Sequence, residues 1–319
     1  MAKKGPGKSE REGISLTKLI KMFPNDEAAR VWFEKQIWPE GPHCPHCGSF
    51  NVQHPTKHRT MTHRCRDCDG RPDFSLKTGN LMEGSKLGYQ TWAIAVYLVT
   101  TSLKGVSSMK LHRDLEITQK SAWHLAHRIR KAMAGGAVLP FSGPVEADET
   151  YLGGKRKNMS NAKRKALAGT GRGAVGKTAV VGTKDRATNE VAAQTFARTD
   201  ALHLSGFVAT KARDGAKVYT DDAAAYNALD PFYQHDTVNH SASEYVRGDV
   251  HTNGIEAFWS MTKRGFHGTY HHWSPKHADS YIGEFASRHN MREADTVDQM
   301  GIVAADMVGK RLRYRDLIA

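Results

Sequence analysis

No window of this chain approaches the roughly 18 consecutive apolar residues that a membrane-spanning helix requires. The opening MAKKGPGKSEREG is positively charged, but no apolar stretch follows it. Neither a membrane anchor nor a secretory signal is therefore expected, and the chain reads as cytoplasmic. Acid is in short supply as well: 33 Asp and Glu stand against 46 Lys and Arg in 319 residues, a formal charge of +13 at pH 7. Such an excess favours a polyanionic partner, with nucleic acid the leading candidate. Cysteine is scarce, and the four present fall in two tight pairs. In a reducing compartment that arrangement argues for a metal and against a disulfide framework. No internal repeat and no heptad array is found.

What is present divides the chain. Residues 1–13 are rich in Lys, Gly, Pro and Ser with nothing apolar to pack, and are expected to form a disordered basic tail. In 14–85, Leu16, Leu19, Ile20 and Phe23, then Ala28, Ala29, Val31, Trp32 and Phe33, recur at helical spacing around a Pro-Asn-Asp break, ahead of the cysteine region. A helical region is expected over 86–140, beginning with Tyr89 to Ser102. From Val145 the period changes, and Val145 to Leu152, Thr178 to Thr183, Val191 to Phe196 and Lys217 to Thr220 read as strands of a mixed sheet. Helical patterns follow at Ala201 to Ala212, Ala223 to Leu229, Ile255 to Arg264 and Lys276 to Asn290. The fold class of 141–293 is thus α/β, in an order that resembles a ribonuclease-H-like domain, and 294–319 reads as a helical tail.

Cys44-Pro-His-Cys47 and Cys65-Arg-Asp-Cys68 are two C-x2-C knuckles 17 residues apart. Each turns tightly enough to aim two sulfurs at one ion, and four thiolates close a tetrahedron with no open position, so a structural Zn2+ is expected. His46 and His63 are expected at the surface, the alternative being substitute ligands. His54, Lys57, His58, Arg59, His63 and Arg64 make this region basic.

Residues Gly105 to Met133, with a Glu-Ile-Thr-Gln joint, suggest two helices meeting at a turn. The second, Gln119 to Arg130, then presents Lys120, His124, His127, Arg128 and Arg130 to DNA as in a helix-turn-helix. An ordinary helical hairpin with a solvated basic face is the competing reading.

Two acidic clusters sit at strands: Pro-Val-Glu-Ala-Asp148-Glu149 and Lys-Val-Tyr-Thr-Asp221-Asp222. Two Asp on neighbouring central strands place oxygen ligands for Mg2+ or Mn2+ at one sheet edge. Two such ions activate a water or 3′-hydroxyl and stabilise the leaving oxygen of an in-line phosphoryl displacement. Glu149 and Asp222, one residue on, are expected to face the other way. A third ligand is sought in His251-Thr-Asn253-Gly-Ile-Glu256-Ala-Phe-Trp-Ser-Met-Thr-Lys263-Arg264. Glu256 and Lys263, two helical turns apart, share a face. Asn253-x-x-Glu256 also spells a capping box, in which Glu256 only bonds the cap backbone. The bland reading of Asp148 and Asp221 is that of turn-forming acids bounding strands.

Cys-Pro-His-Cys-Gly, Glu-Ala-Asp148-Glu-Thr-Tyr-Leu-Gly-Gly-Lys, Val-Tyr-Thr-Asp221 and His-Thr-Asn253-Gly-Ile-Glu256-Ala-Phe-Trp-Ser-Met-Thr-Lys263-Arg264-Gly together resemble the transposases of the IS1595 superfamily, specifically the ISXO2-like group. The resemblance runs from about Cys44 to Arg292 and implies a zinc ribbon followed by a DDE-type catalytic domain of ribonuclease-H-like fold. Asp148 and Asp221 then stand as the first two catalytic acids. The third is Glu256 or Asn253, with Glu256 favoured as the harder ligand and Lys263 following it. The implied reaction is cleavage at terminal inverted repeats and strand transfer to target DNA, by a homodimer or higher oligomer on double-stranded DNA, nucleoid-associated in a prokaryote.

DNA contacts are also expected from Lys155, Arg156 and Lys157, in a basic loop running through Arg164 and Lys165, and from Lys263, Arg264, His271 and His272, interleaved with Phe266, Tyr270 and Trp273 for base stacking. Gly171-Arg-Gly-Ala-Val-Gly176-Lys177-Thr178 fits a P-loop literally, but Thr178 leads into a strand pattern where a P-loop requires a helix. A non-catalytic zinc-ribbon DNA-binding regulator explains ribbon and charge, and leaves Asp148, Asp221 and Glu256 without a role.

Overall fold

The computed structural model describes residues 11–134, 140–154, 159–167, 175–239, 244 and 246–319. They fall into two compact units, one holding the described residues of 11–102, 106–134 and 291–319, the other those of 103–105 and 140–290.

In the first unit the Pro-Asn-Asp break separates α1 (Leu16–Met22) from α2 (Asp26–Ile37), because Asn25 turns its side chain to accept from the Ala28 N–H. A small antiparallel sheet follows, β1 (Val52–Gln53), β2 (His63–Cys65) and β3 (Asp73–Phe74), in that order. Next come α3 (Tyr89–Thr101), α4 (Ser108–Asp114) and α5 (Gln119–Met133). Thr118 caps α5 by accepting from Ser121 N–H, which accounts for the joint read in Glu-Ile-Thr-Gln.

The second unit opens with β4 (Val145–Leu152), then α6 (Asn161–Ala166), β5 (Thr178–Asp185), β6 (Val191–Phe196), α7 (Ala201–Lys211), β7 (Lys217–Asp221), β8 (Gln234–Val238), α8 (Asn253–Gly265) and α9 (Ala278–Asn290). The chain returns to the first unit for α10 (Thr296–Ala305) and α11 (Tyr314–Ile318).

One core spans the first unit. Phe33, Trp92, Val96, Leu125, Ile129 and Met300 pack in it together with Cys44 and Cys65. The stretches expected as 14–85 and 294–319 and most of 86–140 are thus parts of one packed body, a union that local periodicity cannot reveal. The last segment lies along α5, where it overturns an expectation. Arg128 donates to the carbonyls of Leu312 and Glu83, His124 contacts the Leu312 carbonyl, and Lys131 donates to that of Arg311. Arg128 and Arg130 are buried, at 8% and 1% exposure, and His127 with them. His124 and Arg128 of the supposed DNA-facing side are thus bonded to the chain's own C-terminal segment, and of the five residues expected there only Lys120 is exposed, over the Tyr314 ring.

In the second unit the sheet order is β6-β5-β4-β7-β8, with β6, β5 and β4 antiparallel and β7 and β8 running parallel to β4. The alternation of β4 fills both faces. Val145 and Ala147 join Phe207, Val218 and Tyr226 on one side; Leu152 meets Ile255, Phe258 and Trp259 on the other. At Gly182 of β5 an added Cβ would stand 2.6 Å from the Trp259 ring, so this glycine is what lets α8 lie directly on the sheet.

Several local expectations change. Ala224–Leu229 is a 3-10 helix, Gln234–Val238 is an edge strand that its polar sequence hides, and Arg164 and Lys165 belong to α6 and not to a loop. Thr178 opens strand β5, as the rejection of a P-loop requires; residues 171–174 of that motif lie outside the described residues, as do residues 1–10 of the basic tail. Among the described residues no helix is long and apolar enough to cross a membrane.

Candidate active site

β4 and β7 pair in parallel with Val145 beside Val218 and Glu146 beside Tyr219. The same offset carried to the end of β7 sets Asp148 beside Asp221. Alternation then gives both acids one face: Val145 and Val218 point into the opposite core, as does Thr220, whose hydroxyl meets His235 Nε2 at 2.9 Å. Asp148 and Asp221 therefore project towards α8, at the C-terminal end of β7. Asp222 lies past the strand and is exposed.

Helix α8 is amphipathic. Ile255, Phe258, Trp259 and Thr262 are buried, and Glu256, Ser260 and Lys263 follow one exposed side. That side borders a cleft of about 370 Å³ lined by Asp148, Glu149, Thr150, Glu256, Trp259, Ser260 and Lys263. Glu256 accepts from the Thr252 hydroxyl at 3.0 Å. The capping box does not form as spelled: Thr252, not Asn253, is the cap residue, and Asn253 is an exposed first helical residue outside the cleft lining.

The electrostatics are crowded. Asp148 is pushed up to about 7, first by burial and then by the negative charges of Glu149, Asp221 and Glu256. Glu149 is raised by burial and by Asp221, although its carboxylate takes a hydrogen bond from the Tyr226 hydroxyl at 2.9 Å, on the face away from α8. Burial and the nearby carboxylates raise Tyr226 well above the usual phenol range.

A residue that sequence reasoning passed over anchors this arrangement. Glu146, two before Asp148 on the same face, is 1% exposed and accepts from the Ile255 N–H at 2.8 Å. Its other oxygen takes a 2.7 Å bond from Arg186 Nε and lies 3.4 Å from His251 Nδ1. The signal available was only the acid at alternate spacing, since its partners come 40 and 109 residues later.

After α8 a π-helical turn, Phe266–Tyr270, exposes His267 and leads to a loop that exposes His271 and His272. Arg264 is exposed beside Lys263. The aromatics do not reach out for bases as expected. Phe266 and Trp273 are buried, and Trp273 stacks on Tyr281 at 4.7 Å. Lys155, Arg156 and Lys157 lie outside the described residues.

In the first unit the four cysteine Sγ atoms lie within 4.8 Å of one another, with Cys44 to Cys68 and Cys47 to Cys65 each 3.7 Å. A tetrahedron of sulfurs about 2.3 Å from zinc has edges of about 3.8 Å, so the cluster fits a structural Zn2+. Backbone N–H groups of His46 and Cys68 point at the Cys44 and Cys65 sulfurs, as thiolates favour. His63, expected at the surface, is buried with its ring between His54 and Phe74 and is lowered to about 4 by that burial, so it serves the ribbon as a neutral aromatic.

Two family models match the chain: the ISXO2-like transposase domain over residues 140–290 and the transposase zinc-ribbon domain over 24–71. The chain belongs to the IS1595 family of transposases. A similar protein of this kind is an uncharacterized protein in the transposable element ISH50 of Halobacterium salinarum, 29% identical over 254 residues, which is 77% of this chain and 84% of the relative. The chain is accordingly a DNA transposase by family, with a zinc ribbon whose four-cysteine cluster fits its metal. The cleft of the second unit lies within the matched transposase domain.

Proposed function

We propose that this transposase cleaves DNA at the terminal inverted repeats of its element and transfers the strands to target DNA, using Asp148, Asp221 and Glu256 as a DDE-type set. What supports this is the parallel register of β4 and β7, which continued by two residues sets Asp148 beside Asp221, the charge of Asp221 acting on Asp148, and the cleft that Asp148 shares with Glu256 and Lys263. The strand order, three antiparallel strands and two parallel to the first, supports the ribonuclease-H-like reading of this unit.

The donors suit hard divalent cations, and their uncompensated charge, visible in the raised Asp148, favours one. Among the described residues only the cysteines bring three or more ligand atoms within 4.8 Å of one another, so the three carboxylates are more widely spread than one ion requires. Such a spread would suit two divalent ions held between the three carboxylates better than one. Bound Mg2+ or Mn2+ supplies activation of a water or 3′-hydroxyl and stabilisation of the leaving oxygen. Asp148 and Asp221 hold that charge from the sheet, Glu256 closes it from the helix, and Lys263 meets a DNA phosphate at the cleft. Asn253, exposed and outside the cleft, is the weaker third ligand. Arg264, His271 and His272 extend the phosphate contacts, Lys120 offers one from the first unit, and Lys155, Arg156 and Lys157 stay candidates.

Joining two element ends calls for an active site at each, hence a homodimer or higher oligomer on DNA, nucleoid-associated in a prokaryotic cytoplasm. The test is a strand-transfer assay with the element's own ends in Mg2+ or Mn2+. Activity lost in Asp148→Asn with end binding retained supports this reading. A metal-dependent activity untouched by that substitution leaves a DNA-binding regulator in its place.

A further inference from the structure

We infer that Glu146 is the positioning residue of the active site: it fixes the first turn of α8 against the sheet and thereby sets where Glu256 and Lys263 stand over Asp148. The inference rests on the catalytic reading given above.

A helix usually meets its first free N–H groups with its own cap side chain. Here Thr252, the cap residue, makes no such bond and spends its hydroxyl on Glu256 instead. The N–H of Ile255 goes to Glu146, on a strand 109 residues earlier. Ile255 directly precedes Glu256, so whatever holds one holds the other.

The contact is close and specific. A Cβ on Gly254 would fall 2.7 Å from the Glu146 carboxylate, so backbone of the first turn rests on that group. Arg186 fixes the carboxylate from the other side and ties the segment ahead of the helix, donating to the carbonyls of Asp249 and His251 at 2.6 and 2.7 Å, with its guanidinium over the Tyr219 ring. A buried ion pair is weak grounds for stability, because desolvation offsets the attraction; its better-attested use is to select one geometry. The geometry selected here is the approach of the helix that carries two site residues. The second point of approach, Trp259 on Gly182, lies one turn further along α8, and Gly182 is the β5 residue paired with Asp148.

The experiment uses the full-length, zinc-loaded protein with Glu146→Gln, Gly254→Ala and, as control, Asp148→Asn. Mn2+ binding is followed by calorimetry, end-DNA binding by anisotropy, and turnover with pre-cleaved ends. Glu146→Gln removes the charge; Gly254→Ala pushes the helix off its seat and leaves the charge in place. Both are expected to weaken Mn2+ binding by about 10- to 100-fold, the range for residues that orient ligands. Turnover should fall on the order of 100-fold, as for a displacement near 1 Å, with end binding altered by less than about threefold. Mn2+ affinity and turnover per folded molecule that stay at wild-type values in both variants, even with a lowered melting temperature, overturn the inference and leave Glu146 a structural residue. Should Glu146→Gln fail to fold, Gly254→Ala decides by the same two readouts. An active Asp148→Asn control refutes the catalytic reading itself, an outcome separate from inactive Asp148→Asn beside a normal Glu146→Gln.

Discussion

Replacing Asp148 by asparagine keeps the shape of the side chain and removes an ionisation that the fold resists. The folded protein raises this carboxyl to about 7, against about 3.9 for a free aspartate, through burial and the charges of Glu149, Asp221 and Glu256. Between those two values the folded state holds a proton that the unfolded state has released, so this group's contribution to stability falls as pH rises through the window and is fully lost above about 7. Three pKa units correspond to at most about 4 kcal/mol. Opening to the cleft screens part of this, so a gain of roughly 2 to 3 kcal/mol for Asp148→Asn at pH 8 is the working figure. For a unit of this size the gain raises the melting temperature by about 4–10 °C. The assay is calorimetry of the zinc-loaded protein without added divalent ions, comparing variant and wild type from pH 4 to pH 8. The difference should be near zero at the acid end and grow towards pH 8. Added Mn2+ should then narrow it, because metal binding stabilises only the protein that keeps its ligand. A variant equally or less stable at pH 8 refutes the electrostatic argument, and with it the claim that these acids are held together without their counter-charge.

Other outcomes follow from single contacts. Cys65→Ser removes a buried sulfur of the tetrahedron and should lower zinc content from about one ion per chain, measured by mass spectrometry, together with the melting temperature, because structural zinc binding is folding free energy. Gly182→Ala forces a methyl to within 2.6 Å of Trp259 and should cost about 1–3 kcal/mol in chemical denaturation, with strand transfer lost alongside. Arg128→Ala should destabilise by about 2–4 kcal/mol while leaving the salt dependence of DNA binding unchanged, since its guanidinium bonds the Leu312 and Glu83 carbonyls. Lys263→Ala should do the reverse, reducing the slope of log affinity against log salt by about one with little change in melting.

Legibility in the sequence followed the range of the interactions involved. Strands Val145–Leu152 and Val191–Phe196 were readable to the residue because β-type runs bounded by Gly, Asp and Asn are written locally, as was the break at Asn25. The cysteine tetrahedron was readable because each knuckle is a local turn. Edge strand Gln234–Val238 was not, since its residues are mostly polar. The misreading of Arg128 has the same origin: its position on α5 looks solvated until the segment around Leu312 returns to cover it, and Arg130 is buried as well. His63 looked like a surface cation for want of any sign that Trp38 and Phe74 close over it. Glu146 is the extreme case, its meaning supplied by a helix that begins more than a hundred residues on.

Asp148 and Glu149 show how little sequence distance separates two fates. They are adjacent acids on one strand, yet alternation sends the first towards α8 and the second to the Tyr226 hydroxyl on the opposite core. Glu149 has found a donor. Asp148, in contrast, is raised chiefly by burial and by three like charges, so the fold spends stability to hold it. A chain under selection for stability alone would replace that aspartate, because burying a carboxylate beside carboxylates costs free energy and specifies no packing. The same arrangement becomes favourable once a divalent cation joins it, since each ligand's penalty turns into attraction. Both acids are raised, so the electrostatics mark the pair; the side chain's face, Asp148 towards α8 and Glu149 at the Tyr226 hydroxyl, is what favours Asp148 as the ligand in the proposed reading.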